Sequence, residues 1–117
     1  MHGTNIREIL EEEQDIQRHR EALDALVRVR SKLLRESLEA RMRRARDHRE
    51  WNNLSPEECA EQHQEEKRYL KSQIARLRHE QARTKGRLTE LRRIKTLAVV
   101  RRAAAVASEQ KRAQNDV

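Results

Sequence analysis

The sequence contains very few of the residues that interrupt a helix. Its 117 residues include only two glycines, Gly3 and Gly86, and one proline, Pro56. Glycine and proline are the strongest helix breakers, so their scarcity favours long continuous helices. A P-loop or a dinucleotide-binding fingerprint needs several glycines within a few residues, and no such cluster exists. Nucleotide chemistry is therefore not expected.

Aromatic residues and cysteines are equally scarce. Trp51 and Tyr69 are the only aromatic residues, so there is little with which to stack on single-stranded nucleic acid. Cys59 is the only cysteine, which rules out an intramolecular disulfide and predicts a reducing compartment. Cys59 and His63 lie one helical turn apart, but a structural zinc site needs four ligands and the sequence offers no second pair. We predict no metal site and no cofactor.

Long apolar segments are absent as well. No run reaches the roughly 18 residues that a membrane-spanning helix requires. The acidic stretch Glu11–Glu13 comes early in the chain, unlike the start of a secretory signal or an arginine-rich transit peptide. These features predict an intracellular, cytoplasmic protein that is cytoskeletal or bound to an assembly.

Charged residues dominate what is present. They make up 40% of the sequence, against 35% hydrophobic residues. Wide polar faces with narrow apolar stripes are typical of coiled coils and long helices. Disordered chains have a similar composition, but the regular spacing of the apolar residues argues against disorder. We predict an elongated, coiled-coil-like all-α fold without β-structure, formed by residues 1–117 as a single long antiparallel two-helix hairpin.

Two periodic segments define the helices of this hairpin. The first helix is predicted over about residues 4–50, where apolar residues repeat in alternating steps of seven and four at Ile16, Leu23, Val27, Leu34, Leu38 and Ala45. The second is predicted over about residues 56–112. Its seam repeats every seven residues at Ala60, Lys67, Ile74, Gln81, Leu88 and Lys95, and at His63, Leu70, Leu77, Thr84, Leu91 and Ala98.

A hinge at residues 51–55 separates the two helices. Ser55 suits the N-cap, Pro56 suits the first helical position, and Glu58 completes a capping box three residues after the cap. The hinge residues are Trp51, Leu54, Ser55, Pro56 and Glu58.

The order of the charges favours an antiparallel hairpin over a parallel dimer. A fold at Asn53 places the arginines of residues 41–49 opposite the glutamates of residues 57–66. It also places the acids of residues 11–15 opposite the cations of residues 92–95. A parallel dimer would bring each block beside its own copy, and like charges repel.

The apolar segment near the C-terminus differs from the rest of the chain. The hairpin pairs the second helix only to about residue 102, and the sequence from Leu97 to Ala107 is apolar on nearly all sides, which normally indicates burial. We expect it to dock onto another protein; an alanine-rich helix end that frays is the alternative. The predicted docking residues are Leu97, Val99, Val100, Ala103, Ala104 and Val106.

The net charge of +7 predicts acidic or polyanionic partners. Nine Lys and Arg stand against three acids in residues 28–49, and eleven against two in residues 67–95. Such blocks suit an acidic protein surface, and the phosphate backbone of RNA is the alternative. The predicted basic surface comprises Arg28, Arg30, Arg35, Arg76, Arg78, Arg83, Lys85 and Arg87.

The predicted architecture offers no concave pocket for catalysis or for a small-molecule substrate, so we predict a non-enzymatic protein without catalytic residues. In length, charge and helical pattern, the whole chain resembles two groups of proteins. One comprises short helical proteins of axonemal microtubules. The other comprises the stalk-type hairpins of flagellar and type III secretion ATPases. We expect a structural or adaptor subunit of a larger assembly, for example a cytoskeletal or axonemal one. The alternatives are an RNA-backbone-binding accessory protein of a ribonucleoprotein particle and an ATPase stalk.

Overall fold

Three helices make up the fold in the computed structural model, which describes residues 5–115. They are α1 (Ile6–Leu34), α2 (Leu38–Asp47) and α3 (Pro56–Asn115). No strand occurs within residues 5–115. The predicted all-α hairpin, with α1 packed against α3, is confirmed. The chain divides into two compact units, and the single-domain organisation predicted for residues 1–117 stays a prediction.

The first unit comprises residues 1–21 and 82–117, and in it the start of α1 lies against the second half of α3. Ile9 of α1 and Leu88 and Leu91 of α3 are its most deeply buried side chains. Ion pairs also join α1 and α3 in this unit. Glu12 contacts Arg87 at 2.8 Å, and Glu13 contacts Lys95 at 2.9 Å.

The second unit comprises residues 22–81 and contains the end of α1, all of α2, the connecting turn and the first half of α3. Its buried apolar residues are Leu23, Ala45, Cys59 and Ile74. Three polar contacts show that the helices run antiparallel: Asp24 to Gln81, Arg30 to Gln73 and Arg41 to Glu66.

The predicted seams are confirmed by burial. Buried apolar surface contributes roughly 25 cal/mol per Å² of area removed from water, so these positions carry most of the packing energy. All six predicted positions of the first helix and all twelve of the second are buried or half-buried, including the polar members Lys67, Gln81, Thr84 and Lys95.

The prediction of one continuous helix over residues 4–50 is wrong, because the helix breaks at residues 35–37. The last turn of α1 tightens, with Glu36 N–H donating to the Leu33 carbonyl at 3.1 Å. Ser37 then takes an extended backbone and caps α2, its hydroxyl accepting from Ala40 N–H at 3.1 Å. A serine that satisfies an otherwise unpaired N–H allows a new helix to begin without a glycine or proline.

The turn between α2 and α3 spans residues 48–55 and so begins earlier than the predicted hinge. Its predicted capping box is confirmed: Ser55 Oγ accepts from Glu58 N–H at 3.2 Å, and Ser55 N–H donates to Glu58 Oε1 at 3.3 Å. Arg49 and Trp51 have φ values of 58° and 60°, the left-handed region that non-glycine residues rarely adopt. These two residues reverse the chain within a short turn.

The predicted charge pairing between the helices holds in part. In the first unit Glu13 contacts both Lys95 and Arg92, as expected. Beside the turn, Arg41 is the one arginine of the predicted block that contacts a glutamate of α3 within residues 5–115. The other arginines predicted to pair across the helices contact no acid of α3 among residues 5–115: Arg43, Arg44, Arg46 and Arg49.

Candidate functional site

Arg41 is the centre of a buried polar cluster beside the turn. Only 3% of the residue is exposed. Its Nε and Nη2 donate to the two carboxylate oxygens of Glu66 at 2.7 and 2.8 Å, and Nη2 also donates to Glu50 at 3.2 Å. The guanidinium carbon lies 4.0 Å from the centre of the Trp51 ring, a cation–π distance. Arg41 therefore ties α2, the turn and α3 together.

A second bidentate pair joins the segment before α2 to α2 itself. Arg44 Nε and Nη2 donate to Glu36 at 3.0 and 2.9 Å. Two-point contacts of this kind are among the stronger ion pairs in proteins. Hydrogen bonds from Arg44 lower the pKa of Glu36, and those from Arg41 lower the pKa of Glu66. Both carboxyl groups therefore stay ionised well below neutral pH.

His63 lies beside this cluster and is 5% exposed. Burial lowers its pKa, and the nearby charge of Lys67 lowers it further, so the imidazole is neutral at neutral pH. Its Nε2 and the Nη1 of Arg41 are buried atoms without a hydrogen-bond partner in the part of the chain that the structure describes. An unsatisfied buried donor costs about 1–3 kcal/mol. These two atoms are therefore an exception to the usual pairing of buried polar groups.

A cavity of about 180 Å³ opens between α1, α2 and α3 at this point. Leu33 and Leu70 supply apolar walls, and Tyr69, which is exposed, also lines the cavity. The other lining residues are charged or polar: Glu36, Arg41, Arg44, His63, Glu66 and Lys67. Apart from the hinge residue Trp51, none of the residues of this cluster was predicted as a site residue. Only the seam position of His63 signalled that this residue would be buried.

A different surface of the second unit forms an open, basic groove. It has a volume of about 440 Å³ and an apolar floor of Leu34, Ile74 and Ala75. Arg35, Lys71 and Arg78 line its rim together with Ser31, and none of its lining residues within 5–115 is acidic. None of the three cations forms an ion pair with any residue in 5–115. We call this surface the basic groove.

The predicted basic surface is only partly available. Arg30 donates to Gln73 at 3.0 Å, and Arg87 binds Glu12 and Glu90. Arg83 is exposed and has a partner within the chain. The remaining predicted cations are exposed and form no ion pair among the described residues: Arg28, Arg35, Arg76, Arg78 and Lys85.

The predicted docking residues near the C-terminus are exposed to solvent on α3. Every residue from Val99 to Asn115 is exposed, and Val100 retains 59% of its accessible surface. Ile6 lines one side of an open apolar groove of about 520 Å³ there, opposite Val99, Ala103 and Val106. Leu97 and Ala104 are exposed on the same helix. We call residues 97–107 the apolar segment.

No family model, curated protein or solved structure matches the chain. Within residues 5–115, no helix combines the length and hydropathy needed to cross a bilayer. The same residues contain no group of three or more histidine, cysteine, aspartate or glutamate side chains placed to hold a metal ion.

Proposed function

We propose that this protein is a structural or adaptor subunit of a larger, intracellular protein assembly, docked through the apolar segment and the basic groove. The single observation that carries the proposal is the exposure of the apolar segment. Leu97, Val99, Val100 and Val106 each leave 46% or more of their surface in water. Large apolar side chains exposed together in one segment typically mark a site of protein interaction.

Few contacts within the described residues stabilise the end of α3 that carries the apolar segment. From Val99 onward no residue of α3 is buried. Helical stability in proteins comes mainly from packing of an apolar face, and among residues 5–115 Ile6 is the one residue of α1 that lines the groove beside this face. Contact with another chain would supply the missing packing.

The basic groove indicates the chemistry of the partner. Three cations without intramolecular ion pairs surround a floor of apolar side chains. An acidic helix with apolar residues on one face would bury that floor and pair with the rim, and charge complementarity of this kind sets specificity and association rate. A cytoskeletal or axonemal lattice with acidic subunits is one host that fits.

Cosedimentation from native lysate tests the proposal. We expect the full chain to migrate with a large assembly, and a variant with Val99, Val100 and Val106 changed to Gln to migrate as a free protein with unchanged helicity. The matched control changes the exposed Val29 of α1 to Gln, which should leave migration unchanged. Equal migration of the triple variant and the full chain would contradict the proposal.

RNA-backbone binding remains the second candidate, because the cations of the basic groove suit phosphate as well as carboxylate. Nuclease treatment before sedimentation separates the two. Release of the protein by nuclease favours RNA, whereas retention favours a protein host. Stimulation of a partner's ATP hydrolysis would instead identify an ATPase stalk.

A further inference from the structure

Two residues that line the cavity between α1, α2 and α3 each carry a buried side-chain atom that has no hydrogen-bond partner among residues 5–115. Arg41 Nη1 and His63 Nε2 are both buried and unpartnered, and both residues line the same cavity. Arginine can only donate, and an imidazole nitrogen donates in the tautomer or charge state that places a proton on it. Both atoms therefore suit a ligand that accepts hydrogen bonds.

The charges around the cavity favour an anion. Arg41, Arg44 and Lys67 are cationic, against the two carboxylates of Glu36 and Glu66. Each carboxylate is already held at two points by an arginine, whereas Lys67 forms no ion pair among the described residues. Glu50, which does not line the cavity, also pairs with Arg41, so Lys67 is the cation of the lining that no carboxylate pairs with among residues 5–115. A cation would face the N–H groups of Arg41 and would be repelled.

We propose that this cavity binds the oxyanion of a small molecule, a carboxylate or a phosphate. Arg41 Nη1 and His63 Nε2 donate to the oxyanion, and Lys67 supplies the balancing charge. Leu33 and Leu70 contact an apolar part of the ligand, and the volume of about 180 Å³ limits the ligand to a small one. The site is independent of the docking proposed above.

The test is a pH titration of the full chain labelled with ¹⁵N at histidine. His63 and the exposed His79 of α3 are followed in chloride, acetate and phosphate at equal ionic strength. An oxyanion stabilises the protonated imidazole, so acetate or phosphate should raise the pKa of His63 in a saturable way. The anion that raises the pKa of His63 at the lower concentration identifies the ligand as a carboxylate or a phosphate. His79 should not respond.

Three variants make the test specific. His63→Leu should abolish the rise in thermal midpoint that the anion produces, and His63→Gln should keep part of it because the amide still donates. Lys67→Gln leaves Arg41 and its partners in place and should weaken anion binding several-fold. It serves as the decisive variant if His63→Leu does not fold. A control, His79→Leu, should keep the full effect.

The result that overturns the proposal is equally definite. One such result is that neither anion produces a saturable change in the titration of His63. The other is an equal change at His63 and His79, because general screening by salt acts on both residues. Solvation of the two donors by ordered water alone would give the same outcome. Full anion stabilisation in both His63→Leu and Lys67→Gln would also overturn it.

Discussion

Arg41 and Glu66 form a two-point ion pair between α2 and α3, with N···O distances of 2.7 and 2.8 Å. The arginine side chain is 4% exposed, while the glutamate side chain is 37% exposed. The pair therefore joins a buried cation to a carboxylate that water still reaches. If the Glu66 carboxylate is removed, the buried guanidinium of Arg41 loses its charged hydrogen-bond acceptor.

Removing the carboxylate should destabilise the second unit. We expect Glu66→Gln to lower the free energy of unfolding by about 1–3 kcal/mol, because buried donors of Arg41 lose their charged acceptor. Urea denaturation measures the change. The neighbouring Glu65 is exposed and forms no ion pair within residues 5–115, so Glu65→Gln should have little effect. An equal loss of unfolding free energy in the two variants would show that the Arg41–Glu66 ion pair does not contribute to stability.

The neutral state of His63 predicts a stability that depends on pH. Burial lowers its pKa below the ordinary value of 6.5, so the unfolded chain binds a proton more readily than the folded chain. The stabilisation is therefore complete above about pH 6.5 and declines as the pH falls from there to the folded pKa. His63→Leu should remove this step, whereas His79→Leu should retain it.

A second loss should follow at lower pH. The pKa values of Glu36 and Glu66 are held below their usual 4.5 by their arginine partners. Their contribution is present above pH 4.5 and is lost as the pH falls through the folded pKa values. Thermal unfolding across the acid range should resolve the two steps. A single step, unchanged in His63→Leu, would contradict the assignment to His63.

Gly86 offers a stabilising substitution. It lies within α3, and a Cβ atom added there would meet nothing within 4 Å. Gly86→Ala should therefore raise the free energy of unfolding by about 1 kcal/mol, through helix propensity alone. The reverse change at the exposed Ala82 of the same helix should lower it by a similar amount. Destabilisation by Gly86→Ala would contradict the open surroundings of this position.

The fold followed from sequence wherever a signal was periodic or local. Two seven-residue repeats, one including Ile74 and Leu88 and the other including Leu91, identified the buried face of α3, because helical geometry places such residues on one side. The capping box of Ser55 and Glu58 located the start of α3 for the same reason: the interaction spans only three residues. Both signals act within one or two turns.

What the sequence did not reveal depends on contacts between distant residues. The break at Ser37 has only a weak local signal, and the alternating apolar spacing continues across it from Leu34 to Leu38. Arg41 has the same residue type as its exposed neighbours Arg43 and Arg46, but it lies on the helix face of Leu38 and the buried Ala45. Its pairing with Glu66 was part of a predicted charge block, but its burial against Trp51 was not foreseen.

The most direct test of docking is amide hydrogen exchange in the apolar segment, measured in the isolated chain and in the native assembly. An exposed helix end opens readily, so residues 97–107 should exchange fast in the isolated chain. In the assembly they should become strongly protected, while the buried part of α3 around Leu88 and Leu91 changes little. Fast exchange of the apolar segment in both states would contradict the proposal that it docks onto another protein.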